Sequence, residues 1–135
     1  MYIIQETKYN LSYKIKEFNK KYFDSELNLD FELDIKYFSS SYSLGVVKLD
    51  KDKVAYLGIN TNNKLPIEVY DAILIHEMIH VYCIQKYGSE KAIEKQGHND
   101  LFYKKRDSLI KKYNLEIPVK EDISSVDKIL DKLGY

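Results

Sequence analysis

Cysteine occurs once in this 135-residue chain, arginine once and proline twice. The lone Cys83 cannot close an internal disulfide or build a four-cysteine zinc ribbon, and it suits a reducing compartment. Net charge is missing too. The 21 basic and 21 acidic side chains cancel, so no global field recruits nucleic acid or an anionic membrane. No apolar run approaches the roughly 18 residues of a membrane span. The leading MYIIQETKYN has neither the basic nor the apolar region of a secretory signal. A cytoplasmic monomer without membrane association is therefore expected. Lysine outnumbers arginine 20 to 1, a bias of the kind AT-rich coding produces, which weakens any argument from lysine runs.

What is present is enough for a core. At 44% hydrophobic residues, one domain over 1–135 can bury sufficient surface unaided, with no C-terminal zinc ribbon. Leu11, Ile15, Phe18, Tyr22 and Phe23 recur at helical spacing and predict a first helix ending near Asp24. Three stretches alternate apolar and polar residues and predict strands: Leu29 to Phe38, Ser43 to Leu49, and Lys53 to Asn60. The DKDK turn makes an antiparallel hairpin of the last two. Pro66 suits the first turn of a long helix running to Tyr87, with Gly88 as its stop. Asn99 or Asp100 is placed to cap a further helix through Tyr113, and Pro118 breaks the chain again. A short C-terminal helix comes last, with a Ser cap, an apolar stripe from Val126 to Leu133, and Gly134 as its stop. There is no internal repeat, low-complexity tract or second domain. The class is α+β: N-terminal helix, small three-stranded antiparallel sheet, long helix, helix, short helix.

The chemistry concentrates in the long helix. ILIHEMIHVY places His76 and His80 four residues apart, hence on one face, with Glu77 beside them. This is the HExxH arrangement: two imidazoles bind zinc, and the glutamate takes a proton from a zinc-activated water. The bland alternative is a pair of hydrogen-bonded core histidines. Ile73, Leu74, Ile75, Met78, Ile79 and Val81 make the helix almost wholly apolar, so it is buried. Three ionisable groups in a buried helix need a partner, and a metal is the economical one. The only other histidine is His98, in QGHNDLF. A catalytic zinc takes three protein ligands and keeps one open position, so the count fits. The compact spacing H-E-x-x-H-x-x-G-x-x-H is absent.

FNKKYFDSEL (Phe18 to Leu27), Leu44–Gly45, HEMIH, and GHNDLF with Phe102 four residues after His98 together resemble the SprT-like zinc metallopeptidase domain, the family of the eukaryotic Spartan protease. The resemblance covers Phe18 to about Phe102. It implies a zincin-like order of helix, small sheet, HExxH helix and third-ligand helix. It also implies His76, His80 and His98 as zinc ligands, Glu77 as catalytic base, and protein attached to DNA as one substrate class. Asn99 stands where the family often has Gly.

Glu90 and Glu94 compete with His98 for the third position. Both come so soon after the helix stop at Gly88 that little chain remains to turn back about two helical turns. His98 has more slack, and Gly97 permits a tight turn that presents its imidazole. Leu101 and Phe102 would then anchor the next helix against the core. Cys83 lies seven residues beyond His76, about 10 Å along the axis, and reads as a core residue. Asp71 and Asp100 are candidate acceptors for a ligand's free N–H, against solvated or capping roles. The cations and tyrosines of YKKRDSLIKKY (Tyr103 to Tyr113) could contact phosphates and stack on bases, against the reading as a solvated face. A tyrosine near the zinc could also stabilise an oxyanion.

The expected function is a zinc-dependent endopeptidase in which Glu77 is general base. Its protein or peptide substrate would pair with an exposed edge strand at Lys53 to Asn60. The alternatives are a non-catalytic zinc-containing module that binds protein, and a zinc hydrolase of a non-peptide bond. For the module, no fourth protein ligand is evident in the sequence.

Overall fold

A computed structural model describes residues 9–35, 43–61 and 65–134. Helix α1, Leu11–Tyr22, starts where the Asn10 side chain accepts the Tyr13 N–H, the usual way to satisfy a first-turn donor. Its buried face is Leu11, Ile15, Phe18, Asn19 and Tyr22. Buried Asn19 stays satisfied because its amide both donates to and accepts from the Leu27 backbone at 3.1 Å, which fixes the turn after the helix.

The strands are β1 (Glu32–Asp34), β2 (Gly45–Asp50) and β3 (Lys53–Ile59). β2 and β3 form the expected antiparallel hairpin, from Gly45↔Ile59 to Asp50↔Lys53. Lys51, with φ of 56°, occupies the tight turn between them. β1 is shorter than its alternating stretch, whose positions 36–38 lie outside the described residues.

The α+β class stands, and the pairing differs from the expected one in two respects. The sheet order is β1-β3-β2, and β1 runs parallel to β3, Leu33 opposite Leu57, so the sheet is mixed. β3 is therefore central, paired with β2 along its length and with β1 at Tyr56 to Gly58, and it is not the edge strand expected to pair with substrate. Among the described residues the edge strands are β1 and β2, of which β2 lines a cleft. Alternation dictates which side chains face the core and leaves the choice of neighbour open.

Helix α2, Ile67–Tyr87, has Pro66 at its N-cap and Gly88 at its C-cap, and every residue from Ala72 to Ile84 is buried. The sheet covers one side, while α1 and α4 (Asp100–Tyr113) pack against others. Tyr9 Oη and Lys14 Nζ meet the Asp71 carboxylate at 2.6 and 3.3 Å, tying α1 and the residues before it to α2. The polar stretch after Gly88 folds into a short helix α3, Ser89–Ala92, and a 3-10 turn, Glu94–Gly97.

Asn99 caps α4, accepting the Leu101 and Phe102 N–H groups. Asn114, in the left-handed conformation, ends it. An irregular strap, 114–122, then runs back along α2 to a 3-10 turn, Ile123–Val126, and the final helix α5, Asp127–Lys132. Asp122 caps that turn, accepting the Ser125 N–H, in place of the expected serine. Among the described residues no helix is long and apolar enough to cross a membrane.

Candidate metal centre

The four-residue spacing on α2 brings His76 and His80 together, their Nε2 atoms 3.1 Å apart. His76 is fully buried. Its Nδ1 lies 2.6 Å from the Pro118 carbonyl. A carbonyl only accepts, so Nδ1 carries the proton and Nε2 presents its lone pair to the cluster. The acceptor that orients this ligand is thus a backbone group on the strap, in place of Asp71 or Asp100.

His98 arrives from the other side. Gly97, at φ of 83°, makes the turn out of the 3-10 segment, and Asn99 fixes the chain just beyond His98. The Asn99 side-chain amide donates to the carbonyls of Lys91, Ala92 and Glu94 at 3.2, 3.2 and 2.9 Å. It thereby ties the loop before His98 to the helix after it, work that a glycine there could not do. His98 Nε2 ends 3.3 Å from His76 Nε2. Beneath all three rings sits Phe102, fully buried, with its centroid 4.7, 4.6 and 5.3 Å from those of His76, His80 and His98.

A fourth donor joins them. Glu121 Oε1, on the strap, lies 2.7 Å from His76 Nε2, 2.9 Å from His80 Nε2 and 3.3 Å from His98 Nε2. One ligand atom from each of the four residues falls within 4.8 Å of the others. A tetrahedral ion with bonds of about 2.0–2.1 Å sets its donor atoms about 3.3 Å apart. The separations above, 2.7 to 3.3 Å, lie at or inside that spacing, and the four donors can gather round a small divalent ion. No family model, curated protein or solved structure matches the chain.

The electrostatics agree with such a set. Burial lowers the His80 pKa, against the opposing pull of Glu121, and keeps the ring neutral as a ligand must be. Burial would raise the Glu121 carboxyl, but hydrogen bonds donated by histidine ring protons outweigh that and hold it well below the usual carboxylate range; a bound ion would take the place of those protons. Glu77 is also buried and aims into the same space. Burial first, and the facing Glu121 carboxylate second, push its pKa well above the ordinary value. Its Oε2 finds no hydrogen-bond partner among the described residues.

Beside the cluster lies a cleft of about 330 Å³, lined by Glu77, His80, Gly97 and Glu121 together with Gly45, Val46, Val47 and Leu49 of edge strand β2 and the apolar Ile84, Ala92 and Ile93. No tyrosine lines it among the described residues.

The other sequence candidates fall elsewhere. Glu90 and Glu94 are exposed and outside the cluster, as is Asp100 in the first turn of α4. Cys83 is buried away from it, its thiol pushed up to about 11 by burial. The cationic run is partly committed inward. Lys105 sits over the Tyr82 ring at 4.3 Å, Arg106 donates to the Ile117 carbonyl, and Tyr113 packs edge-on against Tyr22. Glu121 is the residue sequence reasoning missed. It lies 45 positions from His76, in an irregular stretch with no periodicity to mark it.

Proposed function

We propose that this protein is a metal-dependent hydrolase of peptide bonds, with His76, His80 and His98 holding the ion and Glu77 acting as general base. The observation that carries this reading is Glu77: a buried carboxyl group whose Oε2 has no hydrogen-bond partner among the described residues, beside a three-histidine cluster and opening on a cleft. Burying a polar oxygen without a partner costs free energy, and a structural metal site has no use for it. A zinc ion in this donor set would polarise a carbonyl and acidify a water. Glu77, next to the first histidine and lining the cleft, is placed to accept a proton from that water and deliver it to the leaving amine. The resemblance to SprT-like metallopeptidases supports the same assignment.

Substrate main chain would add to the free edge of β2, whose residues wall the cleft, and the apolar walls would take a side chain next to the scissile bond. The test pairs metal content with cleavage of casein or an unfolded protein. His98→Ala should lose zinc and activity together, Glu77→Gln should keep zinc and lose activity, and Glu90→Ala and Glu94→Ala should retain both. Full zinc occupancy in folded His98→Ala would overturn the ligand set. Protein attached to DNA is the narrower substrate class, and cleavage stimulated by single-stranded DNA would distinguish it from general proteolysis.

One observation favours a second reading. Glu121 supplies the fourth protein donor that closed structural sites require, as expected of a module that holds metal only to dock a partner. Metal-replete protein whose partner binding survives Glu77→Gln, and which cleaves nothing, would decide for it.

A further inference from the structure

We propose that Glu121 is a metal ligand carried on a displaceable strap, so that the resting protein is closed by its own C-terminal segment and opens when substrate takes the place of Glu121. The proposal rests on the hydrolytic reading above.

Glu121 makes both kinds of contact expected of an extended substrate. Its carboxylate meets the three histidines, with Oε1 2.7 to 3.3 Å from their Nε2 atoms. Its main-chain carbonyl accepts the Leu44 N–H at 2.6 Å, and Leu44 is the residue that leads into edge strand β2. It lines the same cleft as Glu77. A substrate aligned along β2 with its scissile carbonyl at the cluster would need the space this residue fills.

The strap is built to move locally. On one side it is anchored by buried Ile117 and Pro118, the Ile117 carbonyl being held by Arg106 Nε and Nη2 at 2.9 and 2.5 Å. On the other side Val126 and Ile129 are buried. Between these anchors Val119, Lys120, Ile123 and Ser124 are exposed, and Glu121 is only part-buried. Lifting 119–122 therefore uncovers little apolar surface. Pro118 stays behind, so the acceptor that orients His76 is kept when Glu121 leaves. His76, Glu77 and His80 belong to the buried helix α2 and His98 is held by the Asn99 cap of α4, whereas Glu121 lies in the irregular part.

The test uses cobalt-loaded full-length protein, as wild type, Glu121→Ala and Glu121→Gln, with far-UV circular dichroism to confirm folding. The Gln variant keeps the side chain's shape, so it carries the test if the Ala variant misfolds. Cobalt affinity is read by chelator competition, and access to the ion by titration with acetohydroxamate monitored in the visible spectrum. Both variants should hold cobalt about tenfold or more less tightly. Their visible spectra should change, and they should bind acetohydroxamate about tenfold tighter than wild type. Unchanged spectra and unchanged acetohydroxamate affinity in both folded variants would overturn the proposal. If spectra and affinities shift as expected while no variant cleaves protein, the strap assignment holds and the peptidase reading fails.

Discussion

Gly97 and His80 touch so closely that a Cβ built on Gly97 would stand 2.8 Å from both Cε1 and Nδ1 of the His80 ring. The turn that delivers His98 thus presses directly on another histidine of the cluster. A side chain at position 97 would have to push that ring aside, and φ of 83° is unfavourable for any L residue. Gly97→Ala should therefore weaken zinc binding by about tenfold or more. Gly88 is the control: its φ is 89° and nothing lies within 4 Å of its would-be Cβ. Gly88, with ψ of 150°, lies in an extended region almost reserved for glycine, so Gly88→Ala should cost about 1–3 kcal/mol of stability and leave zinc affinity unchanged. Chelator competition on both variants checks the pair, and equal zinc affinities would contradict the contact.

Gly45 holds Glu77 in an analogous way, by space and not by backbone angle. A Cβ there would lie 2.9 Å from Glu77 Cγ and 2.9 Å from Ile73 Cγ2. These atoms belong to a buried stretch of α2, so neither side chain can swing into solvent. Gly45→Ala should leave one zinc per chain and lower kcat, because it moves the base and spares the ligands. Loss of zinc from a folded Gly45→Ala protein would show that the site is more tightly coupled than this.

Phe102 is fully buried beneath all three imidazoles. Phe102→Ala should cost about 3–5 kcal/mol in denaturant unfolding, and zinc-loaded protein should lose more stability than apo protein, since the rings lose their floor. An equal loss in both forms would mean that Phe102 serves the core alone.

Acid should release the metal, because each imidazole that takes a proton stops being a ligand. Each histidine that protonates adds about one decade of lost affinity per pH unit. Burial lowers the His80 pKa, so that ring gives up the ion only at a pH below the ordinary imidazole value. Zinc affinity measured between pH 7.5 and pH 5 should fall in that direction, and affinity flat across the range would contradict histidine ligation.

Much of the site is visible in the sequence for a physical reason: on a helix, spacing is geometry. His76 and His80 four apart must share a face, and the apolar residues around them must be buried. His98 with a capping Asn99 directly after it is likewise local information. The hairpin is set by its turn. The sheet order is not visible, because the alternation of Lys53 to Asn60 sorts faces and says nothing of which strands lie on either edge. Glu121 is hidden for a related reason. It reaches the histidines by tertiary packing of an irregular strap, and neither period nor capping motif points to it.

The most direct measurement is the rate of casein cleavage by zinc-loaded wild type and by Glu77→Gln at matched zinc content. Each should carry one zinc per chain, wild type should cleave, and Glu77→Gln should be slower by about a hundredfold or more. Equal rates in the two proteins, or no cleavage by zinc-replete wild type and Glu121→Ala alike, would contradict a peptidase that uses Glu77 as its base.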